Sequence, residues 1–487
     1  VTTPDLESRI NRVRDELAAI PKRPEVRKLL RRLDRGTATS PSKRAELRND
    51  VGRRLGHCGA VHHRYRLEPP LPEEQVEAFE RRNQIRLPED YRAFITRIAN
   101  GGAGPSHYRL LPLNPEYTGP GLLVPFPFRP DTLPLSDWAD EMALDEDDGI
   151  PFYPGYFWCG AIPLTEEGCT FYQVLVVTGP HRGRIVHLDV DGNDWPTFDP
   201  APDFLTWYEN WLFQREDPLP QDHDALARIV LTGEEGAEAE NAVRACFRLA
   251  APYPLTQSSA IDVLAEGLYG GAGPVGRARA TWVLGEMADR RSELGHVRHL
   301  IRPALRDPDP AVRAMAVEYV DMNLIHGMVG DPAPEVVGAA LVRLAHSGDH
   351  RLEVLRGLLT SPSAAARIAG AEAGRRAYRK DPWRERPDID VLGNAIGDMF
   401  LAAMDDPEPR VRAAAITVLN AREPERARGA FLAASHDPDE QVRFRAVQAL
   451  FRYAADDAVV RARLRAVADH DESPAIRIET RSRLPHC

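Results

Sequence analysis

Leu71-Pro72-Glu73-Glu74-Gln75-Val76-Glu77-Ala78-Phe79, then Leu87-Pro88-Glu89-Asp90-Tyr91-Arg92-Ala93-Phe94, and finally Asn100-Gly101-Gly102 decide the fold of the first half of the chain. The two Leu-Pro-acidic openings stand sixteen residues apart. Proline in a first helical turn loses no hydrogen bond, and carboxylates there face the positive end of the helix dipole, so each opening predicts a helix start. In the second helix Tyr91, Phe94, Ile95 and Ile98 follow the i, i+3, i+4, i+7 spacing of one apolar stripe. Asn100-Gly101-Gly102 supplies a left-handed stop. The expectation is a helical hairpin with one buried face.

Strands follow. Gly160 to Leu164, Thr170 to Thr178 and Gly183 to Val190 are rich in β-branched residues, with Gly179-Pro180-His181-Arg182-Gly183 as a hairpin connection. His107 to Leu113 reads as a further strand, and Leu123 to Pro130 as an extended proline-rich edge. Pro202-Asp203 then opens a helix whose Phe204, Trp207, Tyr208, Trp211 and Leu212 form a wide aromatic face suited to packing on a sheet. Helix, helix, strands, helix is an α+β order.

The run Leu87-Pro88-x-x-Tyr91-x-x-Phe94 with Asn100-Gly101-Gly102, the lead-in His63-Arg64-Tyr65-Arg66-Leu67 and the closing Phe204-Leu205-Thr206-Trp207-Tyr208 resemble the SUKH superfamily, the Smi/Knr-like domain, over about Tyr65 to Phe213. The resemblance implies binding without catalysis. Among bacterial members it implies an immunity protein that neutralises a toxin by occluding it. One departure is Gly168-Cys169, where many members carry Gly-Asp.

After the linker Arg215-Glu216-Asp217-Pro218-Leu219-Pro220 the sequence changes character. Asp307-Pro308-Asp309-Pro310-Ala311-Val312-Arg313, Asp406-Pro407-Glu408-Pro409-Arg410-Val411-Arg412 and Asp437-Pro438-Asp439-Glu440-Gln441-Val442-Arg443 are copies of one phrase, with weaker copies at Gly330-Asp331-Pro332, Ser361-Pro362 and Asp471 to Pro474 and a degenerate one near Gly276. The spacing lies in the solenoid range, and the phrase is similar to HEAT-type repeats. Asp-Pro separates helices, and the Asp and Arg can form a ladder along the array worth roughly 0–1 kcal/mol per contact at a surface. The extra length near Tyr378 to Pro387, with Trp383 among basic residues, maps to a loop on one face.

The chain has 487 residues, 43% hydrophobic and 28% charged, with no apolar run of membrane-spanning length. A polar start at Val1 to Ile10, without an apolar signal region, points to a cytoplasmic protein. Five scattered cysteines without Cys-x-x-Cys exclude a disulfide framework or zinc ribbon. His57, Cys58, His62 and His63 cluster, but no second ligand pair accompanies them, so no metal site is read. Val1 to Leu55 carries 15 Lys/Arg against 8 Asp/Glu within a total charge of −11, so the body of the chain is acidic and nucleic-acid tracking is disfavoured. The glycines at 101, 102 and 104 end a helix, which separates them from a phosphate loop, and neither a nucleophile elbow nor a His-Glu-x-x-His is present.

These readings assign a basic helical segment at 1–56, a SUKH-like α+β domain at 57–217 and an all-α HEAT-like solenoid at 218–487. The expected function is non-catalytic protein binding, with no cofactor, no metal and a basic toxin as partner. Alternatives are a HEAT-type scaffold or adaptor without a toxin, and a nucleic-acid-processing or other enzyme on such an array. Clustered carboxylates beside an aromatic combine steering with an anchor. The candidate partner-binding residues are therefore Trp138, Asp140, Glu141, Asp145, Glu146, Asp147 and Asp148, with Trp383 as the second choice.

Overall fold

The computed structural model describes residues 5–35, 40–116, 120–134, 159–190, 194–251, 258–378 and 387–484. They fall into two compact units, one built from residues up to 130 and from 159 to 218, the other from 131–134 and from Leu219 onward.

In the first unit, α1 (Leu6–Ala19), α2 (Pro24–Arg35), α3 (Pro41–Leu55) and the short α4 (Ala60–His63) precede the hairpin of α5 (Glu73–Asn83) and α6 (Glu89–Arg97). Pro72 and Pro88 are the cap residues immediately before the helices, one position earlier than expected, both in extended conformation. Tyr91, Phe94, Ile95 and Ile98 are all buried, as their spacing requires. Asp90 does not serve only its own helix dipole: its Oδ2 accepts the Leu205 amide (2.8 Å) in the first turn of the closing helix.

The sheet has order β1-β2-β3-β4 and is antiparallel throughout: β1 (Ala161–Gly168), β2 (Phe171–Val176), β3 (Ile185–Asp189) and a two-residue β4 (Thr197–Phe198) that the sequence did not announce. Leu175 pairs with Ile162 and with Ile185, and these three side chains face the helices. The closing helix α7 (Phe204–Leu212) is capped by Asp203, whose side chain accepts the Thr206 amide. Phe204 packs edge-on against Tyr91 (4.9 Å between centroids) and Phe94 (5.2 Å), the arrangement that aromatic quadrupoles favour.

His107 to Leu113 is not a strand. Only Leu110 pairs, in a chain of single bridges running Leu67, Gly102, Leu110, Thr165. Gly102 sits in the middle with φ +100°, and a Cβ there would stand 2.4 Å from the Arg66 carbonyl oxygen. The Asn-Gly-Gly run therefore serves close backbone approach more than helix termination, while the Asn100 side chain bonds both the amide (2.9 Å) and the carbonyl (3.0 Å) of Leu113. At the β1–β2 turn, Gly168 and Cys169 both take positive φ (100° and 51°), so the family departure places a cysteine where Asn, Asp or Gly sits with less strain.

The N-terminal helices join the same core. Ile10, Val13, Leu17 and Ile20 are at most 2% exposed and cluster with the hairpin and α7. The carboxylate of Glu209, buried on α7, receives Arg12 (2.6 Å) and Arg9 (3.2 Å), and Arg9 also bonds the Thr206 hydroxyl (2.8 Å). Much of the basic surface read in this segment is thus paired inside the unit, including Arg32 with Asp50 and Arg23 with Glu16.

In the second unit one row of helices begins at the repeated phrase: α8 (Pro274–Arg290), α9 (Pro310–Tyr319), α10 (Pro334–His346), α11 (Ala364–Tyr378), α12 (Pro409–Arg422), α13 (Glu440–Leu450) and α14 (Pro474–Arg483). Five arginines each send Nε and Nη2 to the aspartate ahead of the next helix of the row. The pairs are Arg277–Asp307 (2.7 and 2.8 Å), Arg313–Asp331 (2.8 and 2.8 Å), Arg367–Asp406 (2.7 and 3.3 Å), Arg412–Asp437 (2.8 and 2.7 Å) and Arg443–Asp471 (3.1 and 3.3 Å). The remaining nitrogen turns back: Arg412 Nη1 donates to the carbonyls of Asp406 (2.8 Å) and Pro407 (3.1 Å). One position lacks the rung on both sides, with Val337 where the arginine would stand and Ser361 where the aspartate would. There a buried ion pair, Arg376 of α11 with Glu318 of α9 (3.1 Å), ties the row together instead.

The rungs are less exposed than the surface contacts the sequence suggested: the Arg412 and Asp437 side chains retain 13% and 11% of their accessibility. Arg412→Ala leaves Asp437 with the Asp439 amide but no guanidinium and takes the donor from two carbonyls, so we expect a loss of about 2 kcal/mol, above the 0–1 kcal/mol of an exposed pair. Urea unfolding of Arg412→Ala beside an exposed-pair control, Arg81→Ala, checks this; equal midpoints would make the rungs ornamental.

Candidate functional site

Helix α7 turns one edge out of the core. Trp207 and Trp211, one turn apart, reach the rim where the helix leaves the sheet, Trp207 being buried and Trp211 partly open. Facing them are the polar ends of the strands: Glu167 of β1, Gln173 of β2, and His187 of β3 with Asp199 just beyond β4. Arg215, Glu216 and Asp217 close the far side, and the space between measures about 330 Å³.

Backbone and side-chain bonds hold this rim in place. Glu167 accepts the His107 amide through Oε2 (2.7 Å) and the Gln173 amide group through Oε1 (3.2 Å). His187 Nε2 lies 3.3 Å from Asp199 Oδ2, and Trp211 Nε1 donates to the Cys58 carbonyl (3.3 Å). Glu167, Asp199, Glu216 and Asp217 outnumber the single arginine, so the groove presents negative charge over an indole floor. Such a surface attracts cationic side chains by field and retains them by desolvated contact with the rings.

The sequence found part of this. The aromatic face of α7 is core at Phe204, Trp207, Tyr208 and Leu212, as its spacing predicts, whereas the partly open Trp211 lines the rim together with an edge of Trp207. Glu167, Asp199 and the adjacent pair Glu216-Asp217 come from three separate places in the chain, and no local pattern signals that they meet. The residues chosen from sequence, Trp138, Asp140, Glu141, Asp145, Glu146, Asp147, Asp148 and Trp383, lie outside the described residues. Four residues before the first of them, the Pro134 carbonyl accepts the indole N–H of the buried Trp282 on α8 (2.9 Å).

The His-Cys cluster resolves into structural bonds. His57 Nε2 meets the Leu212 carbonyl (3.0 Å), and its Nδ1 meets the Tyr65 hydroxyl (3.0 Å). His63 Nε2 meets the Cys58 carbonyl (3.2 Å), and its Nδ1 accepts the Tyr65 amide (3.0 Å), an arrangement that suits the neutral ring. Burial pushes the His63 imidazole down to about 4. The unfolded chain then binds the proton first, so stability rises with pH between about 4 and 6.5 and is lost as pH falls through that window, by roughly 3 kcal/mol in all. Denaturation followed at pH 7 and pH 4.5 should show that loss, and His63→Phe should flatten it; an unchanged slope would place the acid sensitivity elsewhere. Among the described residues, no three His, Cys, Asp or Glu side chains are grouped to hold a metal ion. No described helix is long and apolar enough to cross a membrane.

Comparison with known proteins gives two family matches: the SMI1/KNR4 family (SUKH-1) over residues 70–210 and HEAT repeats over residues 397–484. Curated proteins give no match. Solved structures similar to parts of the chain include YibA of E. coli at 16% identity, covering 56% of this chain and 100% of that one with a TM-score of 0.33. Human deoxyhypusine hydroxylase in complex with glycerol is 18% identical over 54% of this chain and 96% of that one, TM-score 0.22. Kap121p bound to Ste12p is 14% identical over 50% of this chain and 28% of that one, TM-score 0.36. The acidic groove thus spans the end of the SMI1/KNR4 (SUKH-1) match and the residues just after it, and the chain carries that match ahead of a HEAT-repeat match, a pairing of protein-interaction modules.

Proposed function

We propose that the protein is a non-catalytic cytoplasmic immunity factor that neutralises a basic toxin by occupying the toxin's substrate-binding cations. The observation that carries this reading is the groove in which Glu167, Asp199, Glu216 and Asp217 surround Trp207 and Trp211. A nuclease-type toxin needs cationic residues to hold phosphate, and a carboxylate-rim groove competes for them by charge complementarity. The stretch Trp138 to Asp148 adds further carboxylates in the sequence that would suit the same basic partner. An adaptor without a toxin partner is the second reading, supported by the regular row of helices, which offers an extended binding face.

Reading the neighbouring genes, and measuring binding kinetics with any basic toxin encoded there, tests the proposal. Replacing Asp199, Glu216 and Asp217 by neutral residues should slow association about tenfold at low salt and flatten its salt dependence, the signature of steering. Trp211→Ala should mainly speed dissociation, by the tenfold that about 1.4 kcal/mol represents. Unchanged association at low salt removes the groove from the interface, and a neighbourhood with no toxin gene favours the adaptor.

A further inference from the structure

The acidic groove has a polar floor as well as a charged rim. On the side of the sheet turned to the helices, the apolar Leu175 and Ile185 are followed two positions along by Gln173 of β2 and His187 of β3, which pair with each other. A register shift after Pro163 brings Thr165 of β1 opposite Gln173, so all three share that side. Gln173 Nε2 donates to Glu167 Oε1 (3.2 Å), and the opposite amide orientation would set oxygen against carboxylate, so Oε1 is the atom left over. Among the described residues this oxygen accepts no hydrogen bond although it is shielded from water, and the Oγ1 of the fully buried Thr165 has no partner either. Buried polar groups are nearly always bonded, so these two neighbouring atoms mark a place suited to an incoming donor.

The carboxylates of the rim are fixed by the backbone beside them. Glu167 Oε2 accepts the His107 amide (2.7 Å) and Asp199 Oδ1 the Ala201 amide (2.9 Å), while His187 Nε2 lies 3.3 Å from Asp199 Oδ2. The arginine that lines the groove is committed elsewhere: Arg215 Nη1 stands 3.9 Å from Glu209, and its guanidinium lies over the Phe213 ring (5.8 Å). The Arg12 guanidinium meets the same ring (5.2 Å) and the same carboxylate (2.6 Å). The unit thus already sets guanidinium groups on an aromatic ring beside a carboxylate, two residues along the chain from Trp211. In the groove the partly open Trp211 offers a ring of this kind beneath Glu167 and Asp199.

We infer that the groove receives one arginine side chain of the partner, its guanidinium lying on Trp211 and sharing its N–H donors among Glu167, Asp199 and the Gln173 carbonyl oxygen. This rests on the acidic-groove reading and narrows it from any cation to a guanidinium. A guanidinium is planar, weakly hydrated and carries five donors in a fixed fork, so it can stack on an indole while bonding several acceptors at its edge. A lysine ammonium has three donors around one strongly hydrated point and loses more on leaving water. The groove, at about 330 Å³, has room for one long side chain inserted from a partner surface.

The test titrates the full chain with the acetylated amides of arginine, lysine and citrulline, read by the indole N–H resonance of Trp211. The arginine amide should shift that resonance and bind at least fivefold more tightly than the lysine amide, and the uncharged citrulline amide should not bind. Asp199→Asn, which keeps the acceptor for Ala201, should weaken both cations, whereas Gln173→Met, which keeps the length and removes the acceptor, should narrow the preference for arginine. Equal binding of the arginine and lysine amides would overturn the inference and leave the acidic-groove reading standing. Binding of neither cation would overturn both. Citrulline binding as tightly as arginine would make the occupant a neutral amide, and an unchanged preference in Gln173→Met would remove Gln173 from the site; either result overturns the assignment.

Discussion

Gly102→Ala should cost the SUKH-containing unit about 4 kcal/mol, enough to shift its urea midpoint severely or prevent its accumulation. The backbone stands at φ +100°, and the added Cβ would lie 2.4 Å from the Arg66 carbonyl oxygen and 2.9 Å from the Leu67 Cα. Both obstacles are main chain, so no rotamer change relieves them. Relief would require the Arg66–Glu68 segment to move away, breaking the Ala103 amide bond to Arg66 (2.7 Å). It would also disturb the Leu110 pairing with Gly102 (2.7 and 2.9 Å), which continues to β1 through the Leu111 amide and the Leu164 carbonyl (2.7 Å). Gly101→Ala, whose nearest contacts are 3.0 Å away, should cost less. Equal stability of Gly102→Ala and wild type would mean that the motif only ends a helix.

The second large effect is expected at Glu209→Ala, at about 3 kcal/mol. The carboxylate is 3% exposed and neutralises Arg9, itself only 13% exposed, together with Arg12. Its removal leaves Arg9 with Asp203 at 3.4 Å and the Thr206 hydroxyl as partners, so a buried cation loses its closest counter-charge. Glu209→Gln, which keeps the shape and one acceptor, should cost less. The readout is thermal melting together with proteolysis of α1: the apolar seam of Ile10, Val13, Leu17 and Ile20 still favours docking, so α1 should become cleavable before the core unfolds. If neither melting nor cleavage changes, the apolar seam alone holds α1.

The hairpin, the stripe from Tyr91 to Ile98 and the repeated Asp-Pro phrase were legible because each rests on spacing within one or two turns of chain. The row of arginines was legible for the same reason; its strength was not, because burial of Arg412 against Asp437 depends on how neighbouring helices stack. Docking of the N-terminal helices was hidden for a related cause, since Glu209 and Arg9 are 200 residues apart and neither announces the other. Asn100-Gly101-Gly102 was read by its commonest local use, whereas the contact that demands Gly102 comes from Arg66, upstream of the hairpin. The short β4 has too few residues to form a pattern of its own. At the site, charge and aromaticity were read from runs along the chain, which found Trp138 to Asp148. Glu167, Asp199 and Asp217 are brought together only by the strand register and the path after α7.

Hydrogen exchange on the purified complex tests most directly the proposed binding of a basic partner in the acidic groove. Exchange should slow in the segments around Glu167 to Gln173, His187, Asp199 and Trp207 to Asp217, and this protection should be lost again when Asp199, Glu216 and Asp217 are neutralised. Protection confined to the helices that begin at Pro310, Pro334, Ala364 and Pro409, with the groove segments exchanging as in the free protein, would contradict it.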